Sequence, residues 1–210
     1  GGEFCEDGNG VDVGLSGSQS GVSYQLFKDA AAQGSPVAGT GAAISFGLQT
    51  EGGSYTVVAT NDLTNCVNDM TGSVTVTVNP LPTVQSQEVS LCEDFGNPGT
   101  VAGFNLTDYE DEINDGVGFS FTYFIVENDV RVDITSQASS YDVSDGLTVI
   151  VVVTDDETGC VNETTIDFEI SDNITVNDLT PELCEDADAP GSVAGVDLSA
   201  YEDDIYNAAA

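Results

Sequence analysis

Three copies of one phrase constrain this chain more than any other feature: Cys5-Glu6-Asp7, Cys92-Glu93-Asp94 and Cys184-Glu185-Asp186. Their positions set a period of about ninety residues on a chain of 210. The first two copies are each answered by Cys-Val-Asn, at Cys66-Val67-Asn68 and Cys160-Val161-Asn162. Such a period predicts modules in series, each large enough to bury its own core. It divides the chain into a first module over 1–80, a second over 81–172 and the start of a third over 173–210. Cys184 has no answering phrase, so its partner is expected outside the sequence, in an array that continues.

Within a module the strand signals dominate. Val74, Val76 and Val78 alternate with Ser73, Thr75 and Thr77, the period-two pattern of a half-buried antiparallel strand. Leu147 to Val153 is almost continuously apolar and suits a central strand, and Ile166, Phe168 and Ile170 again alternate. Hairpins are expected at Lys28-Asp29 and at Glu127-Asn128-Asp129. Short strands at this spacing predict an all-β fold of tandem β-sandwich modules, joined through the stiff Asn79-Pro80-Leu81-Pro82 into an extended rod. A segment absent from the first module, Pro98 to Asp111, recurs as Pro190 to Asp203. Thr107 with Glu110 and Ser199 with Glu202 have capping-box spacing, and Leu106, Tyr109 and Ile113 recur as Leu198, Tyr201 and Ile205. A short two-turn helix is expected in the second and third modules.

The cysteines carry no CxxC spacing of the kind zinc sites use. One early and one late cysteine per module predicts intramodule disulfides, Cys5 with Cys66 and Cys92 with Cys160. Loops of that size would each stabilise by roughly 4 kcal/mol, and such bonds persist outside the cytoplasm.

Thirty-seven acidic residues against two basic ones, Lys28 and Arg131, leave a formal charge of −35. Phosphate contacts need cations that this chain lacks, which excludes nucleic acid, and adsorption to an anionic membrane is disfavoured. No apolar run is long enough for a membrane span. With no histidine to activate its many hydroxyls, the chain is expected not to be an enzyme. No cofactor is required, with calcium the one candidate. Bonding of Cys92 to Cys160 would bring Glu93 and Asp94 beside Asp155, Asp156 and Glu157, a set of oxygen ligands that calcium could use. Asn105, Asn162 and Asn173 fit the glycosylation pattern by chance occurrence.

Gly53-Ser54-Tyr55-Thr56-Val57-Val58-Ala59-Thr60 resembles the G-x-Y-x-x-x-A signature of an immunoglobulin-like F strand, with Val57 where antibody domains place cysteine. In the second module Val149 replaces the tyrosine. Together with Ser23 to Asp29, Asn65-Cys66 and Ser73 to Pro82, the pattern looks like the tandem immunoglobulin-like repeats of very large Bacteroidetes surface proteins, the gliding-adhesin type. That resemblance implies export by the type IX secretion system and a role as a cell-surface stalk or extracellular filament in adhesion or gliding motility. The partners it implies are neighbouring modules of the same chain and other copies in a filament. The alternative is a carbohydrate-binding array, in which exposed Tyr24 or Phe46 would stack on surface glycans.

Overall fold

The computed structural model describes residues 1–94 and 96–172, together with the short paired strands Thr175–Val176 and Tyr206–Asn207. The first module contains β1 (Gly2–Cys5), β2 (Val11–Leu15), β3 (Val22–Lys28), β4 (Ala31–Ala38), β5 (Ile44–Gln49), β6 (Gly53–Asn61), β7 (Val67–Asp69) and β8 (Val74–Asn79). One sheet has the order β1-β8-β6-β3-β4, with β7 also on β6, and a β2-β5 ladder forms the opposing layer. The second module repeats the plan. It contains β9 (Gln87–Cys92), β10 (Thr100–Phe104), β11 (Phe119–Glu127), β12 (Val130–Asp133), β13 (Tyr141–Ser144), β14 (Thr148–Asp155) and β15 (Val161–Ser171). Its main sheet is β12-β11-β14-β15-β9, opposed by β10-β13. The all-β, immunoglobulin-like sandwich architecture expected from the sequence is the one found.

Alternation decides which side chains enter each core. β14 lies between β11 and β15, and Val149, Val151 and Val153 are all fully buried while Ile150 and Val152 face outward, half-covered. Ile166 and Phe168 of β15 and Tyr123 of β11 complete that layer. In the first module Tyr24, Leu26, Tyr55, Val57 and Val76 do the same. Both predicted hairpins turn on two residues with left-handed backbone: Asp29 and Ala30 at φ 47° and 71°, Asn128 and Asp129 at φ 50° and 63°. Two consecutive positive φ angles match the right-handed twist of the strands they join.

The predicted helix is shorter and capped differently. A 3-10 turn at Leu106–Tyr109 leads into α1 (Glu110–Ile113). Leu106 and Ile113 are buried, and Tyr109 is half-buried with its ring stacked on Phe104 at 5.8 Å. The cap is Asn105, whose side chain accepts from the Thr107 N–H at 3.2 Å. Glu110 does not close a capping box; its Oε1 accepts from the Tyr123 hydroxyl at 2.8 Å. Burial, reinforced by this bond, raises the Tyr123 pKa above that of an ordinary phenol. The copy of this segment near Leu198 lies outside the described residues.

Tyr55 makes the corner that its F-strand position implies, donating to the Glu51 carbonyl at 2.7 Å. In the second module buried Val149 stands in its place. Tyr55→Phe should lower the stability of the first module by about 1 kcal/mol, measured by urea unfolding followed by circular dichroism, with the variant compared against the parent chain.

Candidate functional site at the junction of the modules

The first strand of each module runs parallel to its last, and that pairing positions the first half of the site. Cys5 registers with Asn79 on β8, and Cys92 registers with Ser171 on β15. The Cys-Glu-Asp phrases at Cys5 and Cys92 therefore sit at the end of the sandwich from which the chain departs. The Glu6 N–H donates to the Asn79 carbonyl at 2.8 Å and fastens this exit.

The second half of the site is the hairpin between β14 and β15. Asp155 organises it, its Oδ1 accepting from the N–H groups of Glu157 at 2.9 Å and Thr158 at 2.8 Å. The Gly159 N–H returns to the Asp155 carbonyl at 2.8 Å, and Gly159 takes the left-handed backbone that the turn requires, at φ 72°. The Thr158 N–H, opposed by partial desolvation, holds the Asp155 carboxyl below the usual carboxylate range. This turn presents Cys160, which is bonded to Cys5 with 5.5 Å between the Cα atoms and is completely buried. The bond joins the exit of the first module to the entry of the second.

The connecting segment is clamped by the same face. Asn162 Nδ2 donates to the Pro82 carbonyl at 2.9 Å, and Asn114 Nδ2 donates to the Thr83 carbonyl at 2.8 Å. The Gln85 N–H adds a bond to the Ile113 carbonyl at 3.0 Å. Asn114 is buried, so its amide needs this partner to offset the desolvation of a polar group.

Both expected intramodule disulfides are corrected by this geometry. Cys160 precedes β15, and Cys92 registers with the last residue of that 11-residue strand. At about 3.3 Å per residue they lie roughly 35 Å apart, against the approximately 4–7 Å that a disulfide spans. Cys5 and Cys66 stand at opposite ends of the first module in the same way. Cys66 and Cys92 are exposed free thiols. Cys184 lies outside the described residues.

The calcium set falls with the pairing that would have assembled it. Among the described residues no three acidic, histidine or cysteine side chains converge on a common point. The carboxylates serve local turns instead: Glu93 accepts from the Gly99 N–H at 2.7 Å, Asp94 from the Ala102 N–H at 2.7 Å, and Asp156 from the Ser120 hydroxyl at 2.5 Å. Glu157 contributes its own N–H to Asp155. Tyr24 is buried and offers no face to sugar, while Phe46 is half-buried against the first core. Both cations are paired, Lys28 with Glu51 at 2.6 Å and Arg131 with Glu163 at 2.6 Å.

Sequence reasoning missed Asn162 and Asn114 as junction residues. The signal for Asn162 was present, because the phrase repeats its asparagine as faithfully as its cysteine.

Cys160→Ser should release Cys5 as a titratable thiol and lower resistance to global unfolding. The chain-entropy estimate for a 155-residue separation is roughly 5 kcal/mol, to be measured by denaturant midpoints with and without reductant. Asp155 supplies a pH test. Its folded pKa is depressed, so its stabilisation is present above the ordinary aspartate value and is lost as pH falls through the folded one. Phosphine reduction of Cys5–Cys160 should accelerate across that acidic window relative to Asp155→Ala, in which reduction is already fast at neutral pH.

Residues 88–180 match the family model of the Flavobacterium inter-domain disulphide bond domain. Among solved structures, the chain is similar to Sidekick-1 immunoglobulin domains 1-5 at 11% identity and a TM-score of 0.31, covering 81% of this chain and 35% of that one. It is similar to the titin Ig tandem domains A164-A165 at 12% identity and a TM-score of 0.30, covering 82% and 93%. The fibronectin(III)-like modules of Clostridium thermocellum CbhA match at 16% identity and a TM-score of 0.26, covering 81% and 90%. The chain thus spans about a third of the Sidekick-1 structure's length, and no curated protein matches it. Residues 88–180 are thus similar to a flavobacterial domain whose description names an inter-domain disulphide bond, and Cys5–Cys160 is a bond between the two modules of this chain.

Proposed function

We propose that this chain is a tension-bearing segment of an extracellular stalk, built from immunoglobulin-like modules stapled in series. The observation that carries this reading is the Cys5–Cys160 bond between modules. Force entering at the N-terminus reaches Cys5 after β1, crosses the disulfide, and leaves through β15. All the core strands except β1 and β15 lie between those cysteines and are bypassed by the covalent path. A spacer that must keep its length under load gains from this arrangement. The disulfide adds a covalent tie to a connecting segment that Asn162 and Asn114 hold only by hydrogen bonds.

The charge of −35 supports the same role, because a self-repelling surface keeps long parallel copies soluble and apart. Among the described residues no helix is long and apolar enough to cross a membrane. A persistent disulfide favours an oxidising setting outside the cytoplasm. The finer reading is a cell-surface protein in adhesion or gliding motility, exported by the type IX route. Its support is the resemblance of the repeats together with the flavobacterial family match.

Single-molecule pulling on the chain from its two ends tests the reading. Unfolding of the oxidised chain should leave the 155-residue span between Cys5 and Cys160 unextended. Reduction should release it and add roughly 500 Å of contour length at about 3.5 Å per residue. Equal contour lengths in both states would overturn the proposal.

A further inference from the structure

The hairpin that carries Cys66 is built like the one that carries Cys160. Asn61 stands where Asp155 does, its Oδ1 accepting from the Leu63 N–H at 3.0 Å and the Thr64 N–H at 2.9 Å. The Asn65 N–H returns to the Asn61 carbonyl at 2.8 Å, and Asn65 is left-handed at φ 57°, as Gly159 is at 72°. The N–H of residue 61 bonds the Cys66 carbonyl at 2.9 Å, and that of residue 155 bonds the Cys160 carbonyl at 2.9 Å. The flanking loop is tied identically, the Asp62 N–H to the Gly21 carbonyl in one module and the Asp156 N–H to the Gly118 carbonyl in the other. Asn68 registers with Ala59 as Asn162 registers with Val153. The two ends differ in occupancy. Cys160 is fully covered, whereas Cys66 is exposed beside Val67 at 63% and Leu63 at 90% exposure.

We propose that the Cys66-Val67-Asn68 end of the first module is a docking socket whose partner is the Cys-Glu-Asp end of another module of this kind. Cys66 bonds that module's cysteine, and Asn68 donates to a carbonyl of the segment that leaves it. Cys92 is the complementary plug, since its register with Ser171 and the Glu93 N–H bond to the Ser171 carbonyl at 3.0 Å reproduce those of Cys5 with Asn79. The inference rests on the stapled-stalk reading and names its partner. Bond formation proceeds by thiol–disulfide exchange with a disulfide oxidant such as oxidised glutathione. One thiolate displaces a glutathione thiol, and the second thiolate attacks the mixed disulfide. Two protons and two electrons pass to the oxidant, leaving two reduced glutathione molecules.

The test uses the whole chain carrying Cys184→Ser, with a second copy as the probe. The chain is equilibrated in a glutathione redox buffer and its bonds are mapped by mass spectrometry without reduction. Cys66–Cys92 links between copies should predominate. Mixing Cys66→Ser with Cys92→Ser chains should give one covalent dimer and nothing longer. Asn68→Ala should cut the yield about fivefold, the worth of one hydrogen bond, without changing the reactivity of Cys66 towards a small alkylating agent. Random proportions of Cys66–Cys66, Cys66–Cys92 and Cys92–Cys92, or no cross-link, would overturn the socket. Such a result with Cys5–Cys160 intact leaves the stalk reading standing, whereas loss of Cys5–Cys160 removes both.

Discussion

Everything in this molecule depends on the parallel pairing of each module's first strand with its last. Antiparallel hairpins alone would leave the entering strand unpaired, and the parallel ladder adds it as the outermost strand beside β8 or β15. The consequence reaches beyond the ladder itself. Because β1 runs the same way as β8, the residue that ends β1 lies beside the residue that ends the module. Cys5 is early in sequence and last in space. A cysteine at that end faces the next sandwich, and the β14–β15 hairpin with Cys160 is the part of it that comes within bonding reach.

The second requirement is a hairpin stiff enough to aim its thiol. The Asp155 turn supplies this with three bonds over five residues, two accepted by its carboxylate and one by its carbonyl, and the Asn162 and Asn114 amides hold the connecting segment against the same face. Each polar clamp is worth only about 1 kcal/mol. Their combined effect is geometric, because they fix where the covalent bond must form.

Much of the fold was legible in the sequence. The alternation at Ile166, Phe168 and Ile170 gave a strand face directly, and the apolar run around Val151 gave the central strand. The turn at Asn128-Asp129 was marked by residue types that tolerate positive φ, whereas at Asp29-Ala30 only the aspartate carried that mark and Ala30 takes φ 71° against its type. The capping box was misassigned because Thr107 to Glu110 spacing cannot reveal that a tyrosine from another strand competes for the carboxylate. The disulfides were misassigned for a deeper reason. Periodicity reports which residues belong to the same module, but it does not report which end of the module they occupy. Two cysteines of one repeat unit look paired until the strand between them is given a length and a direction.

That correction changes what the repeat means mechanically. Intramodule bonds would lock each sandwich separately and leave the connecting segments as the extensible parts. Bonds between modules do the reverse. With the socket at Cys66 filled, one covalent lane would enter there and continue through β8 and β9 to Cys92, beside the bond that crosses from Cys5 to Cys160 and leads into β15. That lane uses only about 25 residues to pass two modules, a stretch that spans no more than roughly 90 Å. Two folded sandwiches, each measured by a strand of about 35 Å, already cover most of that distance. Unfolding a core would therefore lengthen such an array very little. In that arrangement the interleaved cysteines, rather than the hydrophobic cores, would set its length under load.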